Sequence, residues 1–226
     1  MSPLSSALLK NLIVACLGFS LLAGCASHSS GPPLPGLPDR VELTSVPFFR
    51  GTEFQGSSMA LASLLRAQGV RISPGLLEPT MHLPKDIDGL PINVPNAARE
   101  FGLVVYPLEP TLNSLLTQVA AGNPVLLRYE AGHFWGSPRY ALLVGYDRYK
   151  QQVLLRSGEE RRQMLGFSTF ASAWKSAGSW AVLVQQPNQL PAQVDHQRWL
   201  QSANALAQAG QEDAAAVAVK TLAQKP

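Results

Sequence analysis

Hydrophobic and polar positions follow a helical period in the first half of the chain. Apolar residues recur three and four positions apart in three segments, and each segment is followed by a glycine, which suits a helix C-terminus. The segments predict helices that end near Gln68, Phe101 and Ala121, over 57–68, 94–101 and 112–121. Ser57 or Ser58 is expected to cap the first helix, which is apolar on most sides and therefore central.

The second half of the chain has short runs rich in β-branched and aromatic residues, bounded by turn residues. Strands are predicted over 124–129, 140–147, 152–156 and 180–185, with a short helix over 167–177 before the last of them. Helices followed by an antiparallel sheet are typical of an α+β domain, which we place at residues 41–190.

The first 25 residues predict a lipoprotein signal peptide. Lys10 precedes an apolar stretch, Leu12 to Leu22, that is too short to cross the ~30 Å hydrocarbon core of a membrane. The stretch ends in Leu22-Ala23-Gly24-Cys25, which resembles a bacterial lipobox and implies lipidation of Cys25. Ala26, in place of Asp, favours the outer membrane, with the domain facing the periplasm. An ordinary cleaved signal with a coincidental cysteine, or an uncleaved anchor, is the alternative.

The composition of the rest of the chain limits the kinds of site that the mature protein can contain. Residues 26–40 contain four prolines and no periodic apolar face, which predicts a semi-extended tether. Cys16 leaves with the signal peptide and Cys25 carries the lipid, so the mature domain is expected to have no free thiol, disulfide or thiolate metal site. The formal charge of +3 is spread along the chain, which excludes a basic groove for nucleic acid. We expect no metal, because no histidine and carboxylate cluster has ligand spacing, and no other cofactor.

Several short motifs along the domain occur in a recognisable order: Val46-Pro47-Phe48-Phe49, Phe54-Gln55 before Ala60-Leu61, Leu83-Pro84, Ala97-Ala98-Arg99, Gly122-Asn123-Pro124-Val125, Tyr140 to Asp147, and Arg156-Ser157-Gly158. Over about residues 43–186 they resemble the bacteriocin-processing, double-glycine leader peptidases of the papain-like superfamily. They resemble more closely a lipoprotein branch of this family, in which such a domain is joined to tetratricopeptide repeats. The resemblance implies a papain-like cysteine peptidase fold with helices packed on an antiparallel sheet.

The family's catalysis depends on a cysteine at the N-terminus of the central helix and a histidine base on a strand. Aligned on the motifs, the nucleophile position is Gly56 and the base position is Arg139. Relatives place a polar residue that orients the histidine near Ser157, and the oxyanion-hole glutamine falls near Gly51, with Gln55 as a possible substitute. Arginine cannot act as a base because its pKa exceeds ~12. The resemblance therefore implies a domain that keeps the fold and has lost the peptidase chemistry.

Two functions remain open for the old active site. In the first, Arg139 faces a helix N-terminus opened by Gly56, and the cleft binds an anion or the carboxylate of a peptide or protein. That candidate cleft comprises Gln55, Gly56, Ser57, His133, Trp135 and Arg139. Alternatively, Arg139 points to solvent or pairs with Glu53 or Glu130. In the second function, Ser57 or Ser58 acts with His133 as a residual hydrolase, although helix capping already explains both serines.

Residues 191–226 predict a helical hairpin. Their spaced residues resemble one tetratricopeptide repeat whose last spacing is one residue short: Trp199, Ala203, Leu206, Gly210, Ala215, Val219, Leu222 and Pro226. One hairpin cannot bury both of its faces, so it packs on the domain, caps it or offers a groove to a partner. A structural accessory that acts through this tail is the third possible function.

Overall fold

The computed structural model describes residues 36–51, 56–83, 89–130 and 138–224. Seven strands lie in these ranges: β1 (Arg40–Glu42), β2 (Val104–Pro107), β3 (Val125–Glu130), β4 (Pro138–Asp147), β5 (Gln152–Ser157), β6 (Glu160–Gly166) and β7 (Ala181–Gln185). The same ranges contain seven helices: α1 (Gly56–Ala67), α2 (Pro74–Leu77), α3 (Leu90–Arg99), α4 (Leu112–Ala120), α5 (Phe167–Ser176), α6 (His196–Gln208) and α7 (Glu212–Ala223). The predicted signal peptide and Cys25 lie outside the described residues.

The strands form one antiparallel sheet in the order β2-β7-β3-β4-β5-β6, and β1 pairs with β4. The long strand β4 defines two ends of this sheet. At what we term the turn end, Asp147 lies opposite both Arg40 and Gln152. At the cleft end, Pro138 lies opposite Glu130, and β5 turns into β6 after Ser157.

Helix α1 packs on one face of the sheet and forms the centre of the core. Leu61, Leu64 and Leu65 are fully buried and belong to one cluster with strand residues such as Leu142 and Val184. Full burial of one such side chain contributes about 1.5–3 kcal/mol, so this contact is a main source of stability. The prediction that α1 is central is therefore confirmed, and the helix ends before Gly69, whose φ is +89°.

The predicted cap of α1 is wrong. The helix begins at Gly56, so Ser57 and Ser58 lie within its first turn, and both are buried. A cap residue must precede the first helical residue, so that its side chain can accept from the free N–H groups beyond it. Neither serine has that position.

Other element boundaries also differ from the sequence prediction. Helix α3 begins at Leu90, four residues before the predicted start at 94, because Pro91 suits a first turn, where its missing N–H is not needed. Arg40, assigned to the tether by the sequence pattern, is the first residue of β1 and lies opposite Asp147 of β4 in the strand pairing. Strand β6 was not predicted because it is an edge strand, mostly exposed, and its sequence shows no alternation.

The C-terminal helix α6 packs on the outer strand β2, and α7 packs on α6. Trp199 of α6 is fully buried, its ring lies 6.1 Å from that of Tyr106, and its Nε1 donates to the Ala218 carbonyl over 2.8 Å. Gln118 closes the junction, donating to the Ala192 carbonyl (2.8 Å) and accepting from the Ala192 amide (3.1 Å). We term this contact the hairpin interface. It makes the tail part of one compact unit with the sheet.

Candidate functional site

A cavity of about 420 Å³ opens at the cleft end of the sheet. It lies between the first residue of α1, the adjoining ends of β3 and β4, and the turn from β5 to β6. Its described lining consists of Gly51, Gly56, Tyr129, Arg139, Tyr140, Ser157, Gly158, Glu159, Glu160 and Gln163. The site therefore combines residues from five separate elements of the fold.

The cavity brings together the three positions to which the family resemblance assigns catalysis. Gly56, at the nucleophile position, begins α1, while Arg139, at the base position, lies in β4, and Ser157, at the orienting position, ends β5. Gly51, near the oxyanion-hole position, lines the same space. Of the other candidates for the cleft, Ser57 is buried and does not line the cavity, so its assignment to the cleft is wrong. Gln55, His133 and Trp135 lie outside the described residues, as does Glu53.

Arg139 is held at the cavity by strand pairing. It lies directly opposite Tyr129, and directly opposed residues of antiparallel strands project from the same face. Arg139 is partly exposed, whereas Tyr129 is buried. A guanidinium remains charged at any physiological pH, so this wall of the cavity is permanently cationic.

Among the residues that the structure describes, none requires glycine at position 56 on steric grounds. A Cβ added there would lie 3.6 Å from the Tyr140 carbonyl oxygen, an ordinary van der Waals contact, and its φ is not in the left-handed region. Gly145 offers a contrast, because a Cβ there would lie 2.5 Å from the Val41 carbonyl oxygen, where β1 packs closely on β4. Position 56 could therefore carry a small side chain at little structural cost.

Hydrogen bonds fix the polar wall around Ser157. The Tyr129 hydroxyl donates to Gln163 Oε1 (2.8 Å) and lies 3.1 Å from Ser157 Oγ, and Ser157 Oγ donates to the Tyr140 carbonyl (3.5 Å). The side chain at the orienting position is thus held by cavity groups instead of a base. The sequence reasoning missed Tyr129 and Gln163. Tyr129 ends a predicted strand, but the sequence does not set the register that places it opposite Arg139, and Gln163 belongs to the unpredicted β6.

Tyr140 lines the cavity next to Arg139, and its ring packs edge-on against Trp180, with ring centroids 5.6 Å apart at 76°. Burial raises the pKa of Tyr140 to about 12, and the nearby Arg128 partly opposes this shift. The phenol is therefore neutral at physiological pH. The charged groups of the described lining are Arg139, Glu159 and Glu160, both glutamates being exposed at the rim.

A buried arginine shapes the chain that leads to the cavity. Arg156 is 5% exposed, and its guanidinium donates to the carbonyls of Val46, Pro47 (3.3 Å) and Leu43 (3.2 Å). Burial lowers the pKa of Arg156, with Arg161 adding to the effect. These bonds fix the segment before Gly51, so they position one wall of the cavity. The sequence motif around Arg156 gave no sign of this role.

The two serines of the hydrolase hypothesis do not line the cavity in the described structure. Ser57 is 2% exposed and Ser58 is fully buried. Ser58 Oγ donates to Glu78 Oε1, at 3.5 Å, beyond the end of α2. A serine nucleophile must reach both a base and the substrate. In this conformation neither serine is accessible to a substrate in the cavity.

The described part of the chain lacks both a candidate metal site and a candidate membrane-spanning helix. Its histidine, cysteine, aspartate and glutamate side chains include no group of three or more that is placed to hold a metal ion. None of its helices has both the length and the apolar character needed to span a membrane.

No known protein family matches the sequence, and no curated protein matches it either. The fold does match solved structures. A Bacillus anthracis protein described as a C39-like peptidase superimposes with a TM-score of 0.54 at 17% identity, over 65% of this chain and 98% of that one. The peptidase domain of the Streptococcus bifunctional transporter ComA gives 0.47 at 15% identity, over 62% and 97% of the two chains. Xylellain, a cysteine protease from Xylella fastidiosa, superimposes with a TM-score of 0.49 at 10% sequence identity, over 67% of this chain and 87% of that one.

The likeness to the Bacillus anthracis protein confirms the fold class that the sequence predicts. The domain has the α+β, papain-like cysteine peptidase fold. At 17% identity the likeness concerns the fold alone, and the chemistry has to be argued from the residues that line the cavity.

Proposed function

We propose that this chain is a lipid-anchored protein of the bacterial envelope whose papain-like domain binds a peptide or protein segment without cleaving it. One observation carries the proposal. Gly56 and Arg139, at the positions of the family's thiol and imidazole, line the same cavity. The domain is then a pseudoenzyme that keeps the shape of a peptidase cleft.

Glycine at position 56 and arginine at position 139 remove the nucleophile and the base themselves, and do not merely slow the reaction of the family. Loss of the nucleophile from a catalytic triad lowers turnover by about 10⁶. Both cysteines of the chain, Cys16 and Cys25, precede the domain, so no other thiol can replace the missing one. Arg139 cannot accept a proton, and it lies where the base would stand.

The cavity is suited to a peptide. Its volume of about 420 Å³ lies within the range of ligand pockets, about 300–1,000 Å³. Arg139 provides a cation that can donate two parallel hydrogen bonds to a carboxylate, while Glu159 and Glu160 at the rim can accept from a basic group. Groups of both signs, combined with exposed backbone at Gly51 and Gly158, match the mixed polarity of a peptide.

Attachment to the membrane rests on the lipobox ending at Cys25. Each buried methylene of an acyl chain contributes ~0.8 kcal/mol, so several chains on one cysteine give stable anchoring. With Ala26 after the cysteine, we place the protein at the outer membrane facing the periplasm. Mass spectrometry of the N-terminal peptide of the mature protein tests this part directly.

Binding without cleavage is tested with a fluorescein-labelled peptide that ends in a double-glycine leader motif. Fluorescence anisotropy should show saturable binding, and mass spectrometry of the same samples should show an intact peptide after prolonged incubation. Arg139→Ala should weaken binding about ten- to hundredfold, because a hydrogen bond to a charged group contributes about 1.5–3 kcal/mol. Arg71→Ala, an exposed arginine outside the cavity, is the matched control and should bind as wild type.

Three outcomes would contradict the proposal. Cleavage of the peptide by the wild type, abolished by substitution at positions 56 and 139, would establish a peptidase. Stoichiometric labelling of Ser57 or Ser58 by a fluorophosphonate probe would establish the residual hydrolase. Absence of binding, together with partner crosslinks lost when the exposed Val217 and Val219 are made Asp, would favour the accessory role of the tail.

A further inference from the structure

The start of the described chain and the cavity lie at opposite ends of the sheet. Strand β1 begins at Arg40, opposite Asp147, the last residue of β4. Arg139, on the cavity wall, is eight positions earlier in β4. At roughly 3.3 Å per strand residue, the two ends are about 26 Å apart. A membrane approached from the turn end is therefore remote from the cavity.

Arg148 binds the start of the described chain to the turn between β4 and β5. Its backbone amide donates to the Asp39 carbonyl (2.8 Å), and its guanidinium donates to the Leu37 carbonyl. The guanidinium also pairs with the Asp39 carboxylate at 3.4 Å. The first described residues of the chain thus lie beside this turn. The eleven residues from Cys25 to Gly36 can span at most about 40 Å when fully extended.

The turn carries an aromatic ring between two cations. Tyr149 is 93% exposed and is flanked by Arg148 and Lys150. Arg40 and Lys150 are exposed, and neither forms an ion pair within the described part of the chain. We term Asp39, Arg40, Arg148, Tyr149 and Lys150 the turn surface. An exposed tyrosine beside basic residues suits the interface between lipid headgroups and water.

The acidic side chains near this surface already form ion pairs or hydrogen bonds within the domain. Asp39 pairs with Arg148, and Glu42 pairs with Arg162 at 3.0 Å. Asp147 Oδ1 accepts from the Lys150 backbone amide over 2.9 Å, which leaves the Lys150 ammonium available to a ligand. The remaining charge of the turn surface is positive, and it complements anionic lipid headgroups.

We infer that the turn surface rests on the anionic headgroups of the membrane that holds Cys25, so that the cavity opens away from that membrane. The inference rests on the lipid anchor of the proposed function. The anchor confines the domain to the membrane, and Tyr149 with Arg40 and Lys150 selects which end of the sheet faces it. A ligand then reaches the cavity from the periplasmic space, without passing between the domain and the lipid.

Depth-dependent quenching tests the orientation. The full lipoprotein with Tyr149→Cys, labelled with a fluorophore, is reconstituted in vesicles of phosphatidylethanolamine and phosphatidylglycerol that contain a headgroup nitroxide. Glu159→Cys, in the turn between β5 and β6 at the cleft end, is the matched control. We expect at least threefold stronger quenching at position 149 than at 159. Equal quenching, or stronger quenching at 159, overturns the inference.

Charge and anchoring are separated by two further measurements. Lys150→Glu should roughly halve the quenching at position 149, while Lys150→Arg should leave it unchanged. Equal quenching at position 149 in the proteins with Lys150, Lys150→Glu and Lys150→Arg would overturn the assignment to anionic headgroups. Mass spectrometry of Cys25 distinguishes the premises: an unlipidated Cys25 overturns the anchor and the orientation together, whereas a lipidated protein with equal quenching at both positions overturns the orientation alone.

Discussion

The cavity and the hairpin interface are built on the same sheet but respond to substitution in opposite ways. At the hairpin interface, Trp199 and Leu206 are fully buried and Gln118 is bonded in both directions to Ala192. At the cavity, Gly56 has room for a side chain that it does not carry. Stability should therefore depend on the hairpin interface, and ligand chemistry should depend on the cavity.

The largest expected effect on stability is at the hairpin interface. Trp199→Ala removes a fully buried ring and its hydrogen bond to the Ala218 carbonyl, so the free energy of unfolding should fall by about 3–5 kcal/mol. Urea unfolding followed by circular dichroism measures it. Leu200→Ala, at a neighbouring position that is 44% exposed, should cost far less. Peptide affinity of the folded Trp199→Ala protein should be unchanged, and a tenfold loss would show that the two regions are coupled.

An intermediate effect is expected where the cavity wall meets the core. The pKa of Tyr140 is raised to about 12 by burial, and an unfolded tyrosine titrates near 10. The unfolded state therefore ionises first, so stability is fully present below about pH 10 and is lost as the pH rises toward 12. The loss should reach about 2 kcal/mol.

Comparison of wild type with Tyr140→Phe in alkaline urea titrations isolates this contribution. The phenylalanine variant should lose less stability between pH 10 and 12, whereas Tyr149→Phe, at an exposed position, should behave as wild type. Identical alkaline profiles for wild type and Tyr140→Phe would contradict the assignment of Tyr140 to the buried wall.

The smallest effect on stability is expected at the nucleophile position. Gly56→Cys should change the free energy of unfolding by less than about 1 kcal/mol, because the new Cβ meets only an ordinary contact at 3.6 Å. Gly145→Cys is the steric control and should be strongly destabilised by the approach of 2.5 Å to the Val41 carbonyl.

Adding Arg139→His to Gly56→Cys tests whether the cleft retains its former geometry. A thiol at a helix N-terminus beside an imidazole has a lowered pKa, so alkylation by iodoacetamide near pH 6 should be faster than for an exposed cysteine. Cleavage of the double-glycine peptide by this variant would show that the substrate path is intact. Alkylation no faster than that of the Tyr149→Cys variant would show that the two positions no longer meet.

Much of the fold could be predicted from the sequence because apolar residues recur with the period of the helix or strand that contains them. The leucines of α1, such as Leu61 and Leu65, recur at helical spacing within a helix that is buried at every position from 56 to 65, and the start of α4 is marked by Thr111, whose side chain accepts from the Ser114 amide. Strand β6 has no such pattern, since one edge faces solvent and Arg161 and Arg162 are exposed. β1 is too short to show one.

Gly56, Arg139 and Ser157 could be assigned to one site from the sequence, whereas the contacts that support them could not. The motifs around Gly56, Arg139 and Ser157 place these residues relative to a family pattern, so their meeting at one cavity follows from the fold. Tyr129 and Gln163 support Ser157 through hydrogen bonds between distant strands. No local pattern encodes contacts of that kind, because they depend on the register of strands that the sequence alone leaves open.

The pairing of β1 with β4 also determines how the domain responds to a mechanical load. Strand β1 pairs with β4 from Arg40 to Glu42, and the Leu43 amide then donates to the Val144 carbonyl. A pull at Gly36 directed along the axis of β1 would load these hydrogen bonds together, in shear. Peeling them apart one at a time would need a pull across the sheet.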